Sequence, residues 1–271
     1  MSAKATEIKL VILDWAGTVL DFGCVAPAGA FVAAFAEAGV EVTLPEARGP
    51  MGLHKKDHLR AMLQVPGIGD RWQSAKGRPW AEADVEELYR RVTPMQVAAA
   101  QAHSELIPEV LNCVAELRRR GILLAGTTGY FQEAADVCYA AAEAQGYKPD
   151  FRICADEVPA GRPAPWMIFR AMEALNVYPP TAVVKVGDTL VDIADGHNAG
   201  VWSVGVVDSS NEIGLSRAAW EALSEDDQEA RRGAVHDRYS DAGADAGINT
   251  LAELPELIDE LNALLKGKRG D

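Results

Sequence analysis

The sequence predicts an α/β fold: a parallel β-sheet with helices on both faces and a helical insertion after the first strand. Three observations lead there. Short runs rich in Val, Ile and Leu recur with the continuous apolar character of fully buried strands. Segments of helical spacing lie between them, and that alternation implies βαβ units. One long stretch near the start breaks the alternation and contains helical patterns alone.

Taken in order, Lys9–Leu13 is the first buried strand, followed later by Ile122–Ala125, Val183–Val186 and Val201–Val207. The helical segments are Pro108–Arg120, Gln132–Gln145 and Pro163–Leu175, the first ending in basic residues ahead of Gly121, as a helix C-terminus does. Ala246–Thr250 forms one more strand and Leu251–Leu265 an amphipathic helix, while Ser224–Arg232 reads as a solvated helix surface. From about Cys24 to His103 the Ala-rich stretches Ala28–Ala38, Lys55–Leu63 and Ala83–Ala102 dominate. The expected organisation is therefore a core domain of residues 1–23 and 104–271, with a helical cap of residues 24–103 over the C-terminal edge of the sheet.

Composition bounds the function. The 271 residues carry 26 Lys plus Arg against 40 Asp plus Glu, a formal charge of −14. That balance argues against nucleic acid and anionic membranes as partners, since both are bound through clustered cations, but it leaves room for a small anionic substrate in a local cationic pocket. No apolar run approaches the ~20 residues of a membrane span, and the first residues lack the pattern of a signal peptide, so a cytoplasmic location is expected. Cys24, Cys113, Cys138 and Cys154 lie far apart without a CxxC pair, which points neither to a disulfide scaffold nor to zinc.

Four segments fall at the ends of proposed strands or the starts of helices, where open α/β sheets place their ligands. Asp14 in LVILDWAGT follows the first strand. Thr127-Thr128-Gly129 forms a turn offering hydroxyls and backbone N–H groups. Arg162 in VPAGRPAPW precedes a helix, and KVGDTLVDI presents Asp188 and Asp192. Each alone has an ordinary structural explanation: a helix cap, a turn, a surface charge or a loop brace.

In combination and in this order they resemble the haloacid dehalogenase superfamily, whose Rossmann-like core transfers phosphoryl groups through an aspartyl phosphate. The resemblance implies Asp14 as nucleophile and Mg²⁺ ligand, Asp188 as a second ligand, Thr128 and Gly129 as holders of a phosphoryl oxygen, Arg162 as the cation and Asp192 as a supporting residue. The chemistry is coherent, because a carboxylate attacks phosphorus only when the negative charge of the substrate is screened.

One position departs from the common pattern. Phosphatases of this superfamily carry a second Asp two residues after the nucleophile to protonate a leaving alkoxide; here that position is Ala16. The insertion supplies different help. PMGLHKKDHLRAML places Lys55 and His58 three residues apart, on one face of a helix. With DWAGTVLDFGC, GTTGY and VPAGRPAPW, this stretch resembles the phosphonoacetaldehyde hydrolase (phosphonatase) family over about residues 8 to 214.

That resemblance implies hydrolysis of the C–P bond of phosphonoacetaldehyde to acetaldehyde and phosphate. Lys55 would condense with the aldehyde, so that the leaving group departs as an enamine and an acid at position 16 is dispensable. It also implies Mg²⁺ bound by Asp14, Asp188 and the backbone carbonyl of Ala16, His58 as proton shuttle, and Cys24, Met51 and Tyr130 near the site, together with a homodimer. Lys55 must be neutral to attack, which burial under the cap and repulsion from Lys56 would favour. Lys56 is the other candidate nucleophile. His54 and His58 stand at the i, i+4 spacing of zinc proteases, but the Glu of that motif and a third ligand are missing. Two other readings are carried forward: a phosphatase or phosphomutase of the same fold acting on a small phosphate ester, and a non-catalytic binding protein that retains the fold.

Overall fold

The computed structural model describes residues 5–267, so the outer ends of the expected core domain, residues 1–4 and 268–271, lie outside the described residues. Six parallel strands form one sheet: β1 (Leu10–Leu13), β2 (Leu123–Thr128), β3 (Phe151–Cys154), β4 (Val183–Gly187), β5 (Trp202–Val206) and β6 (Ala246–Ile248), in the order β3-β2-β1-β4-β5-β6. The strand order runs outward in both directions from β1, so the switch point of the sheet lies beside β1, and a crevice opens at the carboxyl ends of β1 and its neighbours β2 and β4.

Five helices stand between β1 and the rest of the sheet: α1 (Val25–Glu37), α2 (Leu44–Arg48), α3 (Lys55–Gln64), α4 (Pro66–Lys76) and α5 (Glu82–Ala102). They pack on one another through a separate apolar cluster that includes Phe31, Phe35, Leu59, Met62, Trp72, Leu88 and Val92. The chain leaves the sheet layer and returns to it side by side, where Leu20 and Leu106 form an antiparallel bridge. The sequence predicts three helices in this interval. The two additional ones are hard to read for physical reasons: α2 has only 5 residues, and α4 opens on Pro66 and holds Gly67 and Gly69, residues that normally punctuate a helix.

The remaining helices flank the sheet: α6 (Val110–Arg119), α7 (Gln132–Ala144), α8 (Trp166–Ala174), α9 (Leu190–Ala199), α10 (Arg217–Glu221), α11 (Glu225–Asp241) and α12 (Leu254–Gly267). Local chemistry sets their ends. Thr43 and Glu46 form a capping box on α2, Ser224 caps α11 ahead of Glu225, Asp226 and Asp227, and Thr189 caps α9. Helix α1 borrows its cap from further back: the Asp21 carboxylate accepts from the Val25 and Ala26 N–H groups, each at 3.1 Å.

Two expectations are corrected. Thr127 and Thr128 are the last residues of β2, not part of a turn. Strand β3 went unread, because a 4-residue edge strand with Arg152 inside it carries too short an apolar signal. Among the described residues no helix is long and apolar enough to cross a membrane.

Candidate active site

Two layers meet over the switch point of the sheet. A small cleft of ≈ 20 Å³ is lined from the sheet side by Asp14, Ala16, Thr128, Gly129, Tyr130, Arg162, Asp188 and Thr189, and from the helical side by Cys24, Pro27, Met51, Gly52 and Lys55. Larger hollows exist, one of ≈ 600 Å³, but this small cleft is where the titratable groups converge. The approach of the layers is backbone on backbone: a Cβ on Gly129 would lie 2.6 Å from the Gly52 carbonyl oxygen. Only glycine fits there.

The sheet side is a buried charge cluster. Arg162 is 3 % exposed; its guanidinium donates to the Asp14 carboxylate and to the Thr127 carbonyl at 2.8 Å. It also pairs with Asp192 at 2.7 Å and reaches Asp195 at 3.8 Å. Burial opposes its charge, but Asp14, Asp192 and Asp195 outweigh that and raise its pKa. The Lys185 ammonium meets the same Asp192 oxygen at 2.7 Å, and the Thr189 hydroxyl donates to the other at 2.6 Å. Burial pushes Asp192 upward, yet the two cations hold its pKa below the ordinary carboxylate value. Asp192 is therefore a brace between cations.

Asp188 is different. One of its oxygens accepts from the Asn211 N–H at 2.9 Å, while the other is buried without a hydrogen-bond partner. Burial, with the charges of Asp14 and Asp192, raises its pKa well above the ordinary value. Oxygens of Asp14, Asp188 and Asp192 lie within 4.8 Å of one another. A divalent cation fits this arrangement, because it satisfies the orphaned oxygen and removes the repulsion between two buried carboxylates.

Lys55 reaches the cleft from the first residue of α3 and is 3 % exposed. Its ammonium nitrogen lies over the rings of Tyr130 and Phe31, and burial pulls its pKa down to about 8, against partial opposition from Cys24 and Asp14. Lys56 points elsewhere: its nitrogen pairs with Glu86 at 2.8 Å and lies over the Tyr89 ring. Of the two causes expected, burial is the one that lowers the pKa, and Lys56 does not contribute.

His58 is buried on the same helix, stacked on Phe31 with ring centroids 3.8 Å apart, and does not line the cleft itself. Its Nε2 faces the Ala47 carbonyl at 2.9 Å. Because a carbonyl only accepts, Nε2 carries the proton and Nδ1 is the basic atom. Burial first, then the charge of Lys55, pushes its pKa well down. His54 caps α3 instead: its Nδ1 accepts from the Lys56 N–H, and its Nε2 meets Asp156 at 3.0 Å. Met51 lines the cleft and belongs to the main apolar core at once. The Cys24 thiol and Tyr130 phenol are buried beside it, both with raised pKa values.

Sequence reading missed Gly17, Gly52, Lys185, Thr189 and Asp195. Lys185 had a legible signal, a lysine inside the apolar strand VVKV. The glycines had none without the fold: the φ of Gly17 is +83°, and a Cβ there would lie 2.0 Å from an Asp188 oxygen.

A parallel sheet carrying Asp14, Thr128, Arg162 and Asp188 around its switch point defines a class. The haloacid dehalogenase-like hydrolase model matches residues 8–200, and the chain belongs to that family of hydrolases. Within it, the chain belongs to the phosphonoacetaldehyde hydrolases. It is 44% identical over 258 residues, 95% of this chain and 93% of the relative, to phosphonoacetaldehyde hydrolase of Syntrophobacter fumaroxidans. It is 41% identical to that of Bacillus cereus, over 94% of this chain and 97% of the relative. A crystal structure of a phosphonoacetaldehyde hydrolase-like protein from Oleispira antarctica superposes with a TM-score of 0.96 at 40% identity, covering 99% of this chain and 96% of that one.

Proposed function

We propose that the protein hydrolyses the C–P bond of phosphonoacetaldehyde, through an imine on Lys55 and an aspartyl phosphate on Asp14. The observation that carries this reading is that a buried, pKa-lowered lysine and the Asp14–Arg162 pair line one small cleft in which position 16 is an alanine.

In this reading the neutral Lys55 amine adds to the aldehyde carbon, and loss of water leaves a protonated imine. Asp14 attacks phosphorus in line with the P–C bond. The electrons of that bond pass into the imine, and the leaving group departs as an enamine on Lys55. Protonation of the enamine carbon restores the imine. Water then releases acetaldehyde from Lys55 and phosphate from Asp14. Arg162 and the groups of Thr128 and Gly129 hold phosphonate oxygens. His58 Nδ1, neutral and on the same helix as Lys55, would move the protons that imine formation and hydrolysis require. Asp14, Asp188 and the Ala16 carbonyl would hold Mg²⁺, which supplies charge neutralisation for the attack of one anion on another. Departure of an enamine needs no carboxylic acid at position 16, whereas departure of an alkoxide from a phosphate ester does.

Borohydride tests the reading directly, since an imine is reducible and an aspartyl phosphate formed without one gives no such adduct. Borohydride with phosphonoacetaldehyde or acetaldehyde is expected to inactivate the protein and leave a reduced two-carbon adduct on Lys55, sparing Lys56. Lys55→Arg loses adduct and activity together, because guanidinium stays protonated. Normal turnover without any adduct overturns the imine.

A further inference from the structure

Substrate has to reach a cleft of ≈ 20 Å³, a space for about one water. A two-carbon phosphonate is several times larger. On the reading above, entry of such a substrate requires α1–α5 to shift relative to the sheet, and their returned position has to be set by contacts between the two.

One residue, Arg48, contacts each part involved. Arg48, the last residue of α2, donates from Nη1 to the carbonyls of Gly23 and Cys24 at 2.8 and 3.2 Å, on the segment that enters α1. The same guanidinium crosses to the loop after β5, donating to Asn211 Oδ1 and to the Gly214 carbonyl, each at 3.1 Å. All four acceptors are neutral, so the fork is read by direction and not by charge. Gly214 has φ +68°, and a Cβ there would crowd the guanidinium at 3.1 Å. The backbone of Arg48 joins in as well: its carbonyl accepts from the Met51 N–H at 3.0 Å, opening the turn that carries Met51, Gly52 and Lys55 into the cleft.

The loop that Arg48 grips is tied to the site. The Asn211 N–H donates to Asp188 at 2.9 Å. The Ser209 hydroxyl donates to the Gly17 carbonyl at 2.7 Å, and the Ser209 carbonyl accepts from the Gly23 N–H at 2.7 Å. A single residue thus spans three parts: its guanidinium holds the entry to α1 and the loop that holds Asp188, and its backbone carbonyl holds the turn before Lys55.

We propose that Arg48 is a positioning residue whose forked contacts with Gly23, Cys24, Asn211 and Gly214 register α1–α5 on the sheet, so that Lys55 and Asp188 take up their working positions together. The proposal rests on the reading above for the role of Lys55, but its physical core does not require turnover. It predicts coupling between regions distant in sequence, which a purely local role of Arg48 in α2 would not produce.

The test uses Arg48→Met and Arg48→Lys in the full chain, with Arg71→Met, which removes the surface pair to Glu46, as control. Backbone hydrogen exchange is followed without substrate, and Mg²⁺ affinity is measured by calorimetry. In Arg48→Met, exchange at residues 23–26, 51–55 and 211–214 is expected to rise together by about tenfold, the scale of one or two lost net hydrogen bonds. Mg²⁺ binding weakens several-fold, kcat falls by more than KM rises, and imine trapping by acetaldehyde slows. Arg48→Lys, with the charge but without the fork, is intermediate, and Arg71→Met resembles the parent. If Arg48→Met does not fold, Arg48→Lys carries the test in the same direction. Faster exchange confined to residues 44–55, with Mg²⁺ affinity unchanged, overturns the proposal. Exchange and metal binding need no turnover. A parent protein that releases no phosphate from phosphonoacetaldehyde therefore refutes the proposed function, while the coupling still stands or falls on exchange and Mg²⁺ affinity.

Discussion

The Lys55 ammonium nitrogen lies 4.7 Å from the centroid of the Tyr130 ring, on a face that attracts a cation but offers it no counter-charge. Burial is the larger influence and brings the pKa to about 8. About one amine in ten is then neutral at pH 7, against about one in three thousand for an ordinary lysine. The rate of imine formation with acetaldehyde is expected to rise with pH through about 8 and then level. A flat profile between pH 6.5 and 9 would contradict a depressed lysine pKa.

The same shift costs stability. The folded pKa of Lys55 lies below its unfolded value of 10.5, so the unfolded chain binds the proton more tightly in the window from about 8 to 10.5. The penalty is full below pH 8, on the order of 3 kcal/mol, and fades as pH rises through that window. Lys55→Met should therefore match or exceed the parent in thermal midpoint at pH 7 while losing activity. A clear fall in midpoint would mean that Lys55 stabilises the fold.

The proposed Mg²⁺ requirement turns on Asp188. Its raised folded pKa means that the metal-free protein loses stability as pH rises and that carboxyl ionises beside Asp14. Bound Mg²⁺ reverses the preference. Thermal scans with EDTA and with Mg²⁺ should diverge more at pH 8 than at pH 5.5, and chelation should abolish turnover until Mg²⁺ is restored. Equal curves at both pH values would remove the metal from this site.

Asp192→Asn takes one anion from two buried cations, Arg162 and Lys185. Leaving a buried charge unpaired costs about 3–5 kcal/mol, and urea unfolding should show a loss of that size. A loss below about 1 kcal/mol would mean that Asp195 or solvent replaces the brace.

Gly17→Ala puts a methyl group 2.0 Å from an Asp188 oxygen and an L-residue at φ +83°. The backbone strain alone costs about 1–2 kcal/mol. The displaced carboxylate should cost far more in activity, about a hundredfold or greater, with weakened Mg²⁺ binding by calorimetry. Near-parent activity would show that Asp188 need not sit where Gly17 lets it.

Much of this arrangement was legible before the fold was known, because it rests on short contiguous signals. An acid after an apolar run placed Asp14 and Asp188 at strand ends, and MGLHKKDH put Lys55 on a helix start with His58 one turn on. What escaped reading depends on contacts between distant segments. The sequence favours Lys55 over Lys56 on the resemblance alone; the physical cause, packing against Phe31 and Tyr130 while Glu86 holds Lys56 outside, is not legible in it. The charge of Arg162 looks like a surface feature until Asp192 and Lys185 surround it. The glycines that let backbone meet backbone, Gly52 and Gly129, bear no local mark of that duty.

The bridge between Leu20 and Leu106 has a consequence for how such a chain can be rebuilt. Because the segment carrying Lys55 departs and returns through neighbouring residues, it is a single loop of the gene, and its exchange for another leaves the order of the strands untouched. The carboxylate proposed to attack phosphorus and the amine proposed to condense with the aldehyde thus stand on segments of chain that are separable at that bridge. A different segment joined at Leu20 and Leu106 would leave Asp14, Thr128, Arg162 and Asp188 in place while removing Lys55.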